Sequence, residues 1–385
     1  MNIRSWLLLT GLITSHLSAA EDGFVSLFNG KDLTGWINAN CAPETWSVKD
    51  GVIHCTGRPT GALRTPRHYE NFILEVEWRH LSSGGNSGVF IWGTPIAAPG
   101  VPFLRGIEVQ VLDHGFNIKG KNEWYTTHGD VFPIHGASMK PFGRHNGDRS
   151  FPSEERSKPS PEWNHYRIEC NNGTLRLHVN GKEVSGGEDC NYRKGYLALE
   201  SEGAPVEFRN IRIKELSSTH TPSELTAPLD QGWKPLFTGL DFRGWRTNAA
   251  NVARWQVRGE RLQLSSGPST VDEWLALDQT FGDVEWILDV NPEKPAEGAV
   301  AIVPSVVIGS PDDKGLSLPL TGAVPGSFKR FSLQIHNRQA VLRLGDDVVE
   351  TKTLPSGLGS KRTLGLKSGG AGATFMNFYL RTLSK

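Results

Sequence analysis

The sequence predicts an all-β protein built as two tandem two-sheet sandwiches of the jelly-roll kind. Three observations predict it. Glycine and proline supply 43 and 23 of the 385 residues, beside 12 tryptophans, a turn-rich composition that suits many short strands better than a helical bundle. Apolar residues recur with period two, and no helical period of useful length competes. The chain also resembles itself.

Taken in order, the first twenty residues read as a secretory leader. Arg4 is followed by a short mixed apolar stretch, Trp6 to Leu17, and then by Ser18-Ala19-Ala20 as small residues at a cleavage site. So short a stretch cannot span about 30 Å of hydrocarbon as a helix. The mature chain is therefore expected to start at Glu21 and to be exported, to a periplasm or the exterior. Residues 21–216 form the first domain. Phe72, Leu74, Val76 and Trp78 alternate with more polar neighbours, as do Tyr166, Ile168 and Cys170. Asn171-Asn172-Gly173 and Asn180-Gly181 supply hairpin turns around Leu175, Leu177 and Val179. Ser217 to Gly232 is rich in Ser, Thr and Pro and reads as a linker. Residues 233–385 repeat the opening. Leu27-Phe-Asn-Gly-Lys-Asp-Leu-Thr-Gly-Trp36 returns as Leu236-Phe-Thr-Gly-Leu-Asp-Phe-Arg-Gly-Trp245, and Trp46-Ser-Val as Trp255-Gln-Val.

Forty-one basic and 41 acidic side chains cancel, which removes bulk charge as a means of holding nucleic acid or an anionic membrane. Export would make the four cysteines, Cys41, Cys55, Cys170 and Cys190, candidates for disulfides. Local pairs 41–55 and 170–190 are the simplest of three connectivities. Their spacing does not match a structural zinc site.

Four ordered segments resemble the 3-keto-disaccharide hydrolase domain family. They are Leu27 to Trp36, Gly85-Asn-Ser-Gly-Val-Phe90, Gly106-Ile-Glu-Val-Gln-Val-Leu-Asp113 and Phe208-Arg-Asn-Ile-Arg-Ile213. The resemblance covers most of residues 24–216 and, weakened, 233–385. It implies concanavalin A-like jelly-roll sandwiches and action on glycosides oxidised at sugar C3. The sequence departs at Trp92 and at Glu200-Ser201-Glu202-Gly203, where many members carry an arginine and a Gln-Asp-His-Gly-like stretch.

The segment Gly106 to Asp113 carries the most chemistry. Ile107, Val109 and Val111 make one face, leaving Glu108 and Gln110 on the other, with Asp113 at the strand end beside His114. Val303 to Gly309, read as the same strand of the second copy, has no carboxylate. Nine of 12 histidines fall in the first copy, two of them, His128 and His135, in one Gly- and Pro-punctuated loop that could supply a base, a substrate contact or a metal ligand. The expected catalytic set is Glu108, Asp113, His128 and His135. Substrate contacts are expected from Gln110, Asn86, His114, Trp92 and Glu200. The charged stretch Lys140 to Glu162 could rim a sugar site, and Trp92, Trp124 or Trp163 could stack on a sugar.

In a 3-keto glycoside the ketone acidifies C2–H. One base and a group that holds the enolate would let the C1 aglycone leave, and water would then complete hydrolysis. Glu108 or a loop histidine fits the base. Gln110, His135 or a divalent metal could hold the enolate, and Asp113 could orient a histidine. No cofactor is evident, and with no glycine-rich dinucleotide fingerprint a separate oxidoreductase must make the keto sugar. Two other readings stay open: a retaining glycosidase using Glu108 and Asp113, and a carbohydrate-binding pair without catalysis.

Overall fold

The computed structural model describes residues 23–117, 128–267, 274–294, 303–310 and 313–383. The expected leader, the start at Glu21 and Trp124 lie outside the described residues.

Among those residues the regular secondary structure is almost entirely antiparallel strand, arranged as two pairs of sheets. In the first pair, a nine-stranded sheet runs from Ser138–Pro141 through Lys182–Asn191, Thr174–Val179, Asn164–Asn171, Phe72–His80, Val206–Glu215 and Val52–Cys55 to Trp46–Lys49, with Val25–Ser26 alongside Val206–Glu215. The facing eight-stranded sheet runs His145–Asn146, Arg149–Ser150, Val131–Ile134, Gly106–Leu112, Asn86–Gly93, Tyr196–Ser201, Gly61–Arg64, Ile37–Asn38. The period-two residues meet between them. Leu74, Val76, Trp78, Val89, Ile91, Ile107, Val109, Val111, Tyr166 and Ile168 form one buried core. Each such side chain stabilises the fold by roughly 1.5–3 kcal/mol relative to exposure.

The second pair has the same strand order. Its larger sheet runs Trp255–Arg258, Arg261–Leu264, Ala373–Thr382, Val284–Pro292, Lys329–His336, Gln339–Leu344, Asp347–Thr353, with Lys234–Pro235 alongside Ala373–Thr382. Its smaller sheet runs Trp245–Arg246, Leu275–Phe281, Arg362–Lys367, Ser305–Ser310, Asp313–Pro319. A separate core built on Trp255, Trp286, Leu288, Phe331 and Leu333 fills it.

This order corrects one alignment. Ser305–Ser310 occupies the place of Asn86–Gly93, so the counterpart of the Glu108 strand is Asp313–Pro319, not Val303–Gly309. Hydrogen-bond register then sets Ser317 where the first sandwich has Glu108, and Lys367 where it has Glu200. Within the described residues, Val131–Ile134, Arg149–Ser150, His145–Asn146 and Ser138–Pro141 have no partner strands in the second sandwich.

Two further expectations change. All four cysteines are free, buried thiols. Cys41, Cys55, Cys170 and Cys190 are packed in the first core as small apolar side chains, and no disulfide joins them. Burial pushes the Cys55 thiol up to about 11 and the Cys190 thiol up to about 12, which keeps both protonated and inert. The Ser217–Gly232 segment is a pinned strap, since Glu70 binds Ser218 and Thr219, and Asp230 pairs with the buried Arg64 at 2.6 Å.

Candidate active site

Strand parity decides which side chains leave the core of the eight-stranded sheet. Odd residues of Gly106–Leu112 enter it, so Glu108 and Gln110 emerge on the outer face. Register places Phe90 and Phe132 on either side of Glu108, and Gly88 beside Gln110. On the other flank of Asn86–Gly93, Glu200 emerges from Tyr196–Ser201 opposite Ala62. Gly88 is what lets the carboxyls meet. A Cβ there would stand 2.9 Å from Glu108 Oε1 and 2.9 Å from Glu200 Oε2, too close for either. The bare glycine lets a carboxyl close in from each side.

These carboxyls are dry. Glu108 is 6% exposed and Glu200 is fully buried. No donor reaches the Glu200 oxygens, and the Glu202 carboxyl lies beside them. An ionised carboxylate without partners is expensive in such a place, so the proton is retained. Burial first, and the Glu202 charge second, push Glu108 up to about 8, although Arg149 pulls the other way. Burial and the neighbouring Glu108 and Glu202 hold Glu200 well above the carboxylate range, and burial raises Glu202 as well.

A chain of polar side chains runs from this group to the sandwich end. Asn86 donates to Glu202 and accepts from Gln110 Nε2 at 2.9 Å. Arg149 Nη2 donates to Gln110 Oε1, while its Nε donates to the fully buried Asp130 at 2.7 Å. The guanidinium lies over the Phe132 ring, 3.5 Å from its centroid. From the facing sheet, Tyr166 Oη reaches across the core and donates to the Gln110 carbonyl at 2.7 Å. The site thus holds three clustered carboxyls of raised proton affinity and one cation, Arg149, paired with Asp130. That combination can take or give a proton and can steady a developing oxyanion.

The histidines lie elsewhere. His128 and His135 stand at opposite ends of Val131–Ile134. His135 is exposed and stacks on Phe103 at 5.5 Å. His128 is buried, receives the Ser157 amide at 3.3 Å and stacks on His114 at 5.0 Å. Burial, then the His114 charge, lower it to about 3, which keeps it neutral. His114 Nε2 meets Ser157 Oγ at 2.8 Å and Glu155 Oε1 at 3.1 Å. Among the described residues, His114, His128 and Glu155 form the group whose ligand atoms lie within 4.8 Å of one another and could hold a divalent cation.

Asp113 does not join Glu108 as a second carboxyl, nor does it hydrogen-bond a histidine. It turns into the loops, where Oδ1 accepts the Gly84 and Gly115 amides at 2.7 and 2.9 Å, and Oδ2 the Ser160 amide at 2.8 Å. Burial would raise its carboxyl, but these donors outweigh it and leave the group at about 2. Trp92 is not a sugar platform. Its positive φ of 54° and the register shift opposite Tyr196–Ala198 turn it into the core, where its indole N–H binds the Glu70 carbonyl at 2.9 Å. Trp163 is covered by the Arg79 and Arg209 guanidinium groups, 4.6 and 4.0 Å from its ring centroid.

Glu108, Gln110, Asn86 and Glu200, four of the expected site residues, therefore come together. The chain through Arg149, Asp130 and Glu202 is an addition. Arg149 belongs to the charged Lys140–Glu162 stretch, whose short strands bring it to the site. In the sequence, the charge of that stretch, which could rim a sugar site, pointed to it.

Comparison with known proteins bears on this site. Residues 23–214 match the model of the 3-keto-alpha-glucoside-1,2-lyase-like domain. A 3-keto-disaccharide hydrolase of Bacteroides thetaiotaomicron is 25% identical over 257 residues, covering 52% of this chain and 81% of its own. Two Parabacteroides distasonis proteins provisionally described as glycosyl hydrolases align in three dimensions. One is 23% identical over 51% of this chain and 94% of its own, with a TM-score of 0.39. The other is 27% identical over 50% and 99%, with a TM-score of 0.38.

Proposed function

Residues 23–214 form a domain of the 3-keto-alpha-glucoside-1,2-lyase-like family, and from that premise we propose that the protein cleaves glycosides already oxidised at C3 of the sugar. Glycoside hydrolysis is the coarser statement, supported by the family match and the named relative. The finer reading is that cleavage proceeds by elimination. The observation that carries it is Glu108: a dry carboxyl with its proton affinity raised to about 8, packed over Gly88 beside a second carboxyl, Glu200.

A group that must remove a carbon-bound proton gains from high basicity, because proton transfer is most effective when the base is matched to working pH. Ionised Glu108 takes H2. The C2 electron pair moves toward the C3 ketone, and the resulting enolate oxygen is held by the Arg149–Gln110 end of the polar chain. Collapse of the enolate expels the C1 oxygen, which takes a proton from the Glu200–Glu202 pair. Water then adds across C1 and C2, its hydroxyl to C1 and a proton to C2, giving the keto sugar and the free aglycone. An oxidoreductase elsewhere supplies the ketone. Export through the 1–20 leader belongs to this reading, and no helix among the described residues is long and apolar enough to cross a membrane.

One observation favours a second reading. Two carboxyls that meet over Gly88 also suit a retaining glycosidase, whose acid and nucleophile stand about 5–5.5 Å apart. In that reading Glu200, not Asp113, is the partner of Glu108. Incubation with a 3-keto glucoside and with the unoxidised glucoside separates the two. Release from the keto form alone is expected. Equal or better release from the unoxidised glucoside overturns elimination.

A further inference from the structure

The hairpin joining Asn86–Gly93 to Gly106–Leu112 folds over the outer face next to Glu108. Its Phe103 and Leu104 pack with Phe90, Ala62, Ala198 and Ala39 as a small apolar cluster, and Phe90 is the residue directly opposite Glu108. This cluster is the dry wall of the site. The hairpin tip, however, rests on the second sandwich. Asp289 is fully buried, accepts the Gly100 amide at 2.8 Å and pairs with Arg330 Nε at 2.7 Å. Arg330 Nη2 donates to the Ala97 carbonyl at 2.9 Å, and Tyr379 Oη accepts the Ala97 amide at 3.1 Å. Asn377 Nδ2 donates to Asp289 and to the Ala98 and Val101 carbonyls, at 2.7, 3.1 and 2.8 Å.

The same bulge exists in the first sandwich without this task. Asn210 and Asn377 sit at the same irregularity of equivalent strands, with φ of 51° and 55°. Asn210 binds Glu77 at 2.9 Å as Asn377 binds Asp289, but Glu77 and Asn210 line an open surface hollow. His165 stands opposite Glu77 where Arg330 stands opposite Asp289. The second sandwich therefore carries, at one shared position, the side chains that grip a backbone loop.

We infer that the second sandwich is a positioning domain: Asn377, Tyr379, Asp289 and Arg330 hold the 94–105 hairpin as the wall that closes the site beside Glu108. The inference rests on the reading of Glu108 as the base. Loosening the hairpin admits water to Glu108, whose other charged or titratable neighbours are Glu200 and Glu202, Arg149, and Asp130. Hydration lowers the proton affinity that burial had raised. The displaced wall also lets the substrate drift, and misplacement by about 1 Å can cost 10²-fold in rate.

The test uses the full chain with Asn377→Ala and, as a milder change that keeps the ring, Tyr379→Phe. Hydrogen exchange at the Ala97 and Gly100 amides, kcat on a 3-keto glucoside, and the pH dependence of kcat are compared with wild type. Expected are faster exchange, a fall in kcat of about 10- to 100-fold, and a downward move of the Glu108 limb by about one pH unit. Faster exchange with unchanged kcat and pH limb overturns the inference. So does unchanged exchange in both variants. Should wild type itself fail on the keto substrate, the functional reading falls alone, and the Glu108 titration followed by NMR of labelled glutamate decides the inference.

Discussion

Glu108 is a residue whose value comes from where it is buried. Glu108→Gln keeps its volume and removes the ionisable proton site, so turnover of a 3-keto glucoside should fall by about 10²–10⁴. Near wild-type turnover would rule Glu108 out as the base. The variant should not lose stability. Glu108 is nearly sealed from water, unlike the half-exposed acid its strand parity suggests, and its folded proton affinity is raised to about 8. The stability gained by keeping its proton is therefore full below the unfolded carboxyl value and is lost as pH rises through about 8. Above that pH the glutamine variant should melt higher than wild type, measurable by calorimetry at pH 9. Activity should follow the opposite course. A base works ionised, so kcat should rise as pH increases through about 8 and then level. A kcat that falls through that range would make Glu108 an acid instead. Alternation showed which way Glu108 and Gln110 point. It could not show Glu200 across the sheet, nor the grip of Arg149, because both depend on pairing between distant strands.

At the scale of elements, loops at the sandwich end are held by one buried carboxylate. Asp113 ties the turns at Gly84, Gly115 and Ser160, which in turn bring His114 and Ser157 together. Each amide bond to a charged acceptor contributes about 1.5–3 kcal/mol when intact. Asp113→Ala should therefore lower the melting temperature markedly while leaving the apparent proton affinity of the Glu108 limb in place. A limb that moves would show Asp113 to be coupled to the proton transfer itself. The sign with pH is that of a depressed carboxyl: this contribution is present above the unfolded value near 3.8 and disappears as pH falls through about 2. Most strands were legible from alternation and Asn-Gly turns. Trp92 was not. Its even position predicts the outer face, but a residue at positive φ beside a register shift reverses direction, and neither feature is written in local pattern. The disulfide expectation failed differently: Cys41 neighbours Cys55 and Cys170 neighbours Cys190, yet all four are free thiols in the core.

For the whole molecule, self-similarity gave two sandwiches and predicted that only the first works. The structure supplies a residue-level basis for that expectation. Ser317 and Lys367 stand at the places of Glu108 and Glu200, and the strands that bring Asp130 and Arg149 have no equivalent among the described residues. Glu108→Gln in the full chain should consequently leave no second activity on the keto glycoside. A residual rate with its own saturation behaviour, seen in steady-state kinetics, would show otherwise. In the proposed elimination, C2–H is broken and remade. Turnover of a 3-keto glucoside in heavy water, with the product read by NMR or mass spectrometry, tests it directly. Elimination and rehydration through Glu108 predict deuterium at C2 of the released keto sugar, beyond what unused substrate acquires. A product that keeps its C2 protium throughout, with cleavage proceeding normally, would contradict the account.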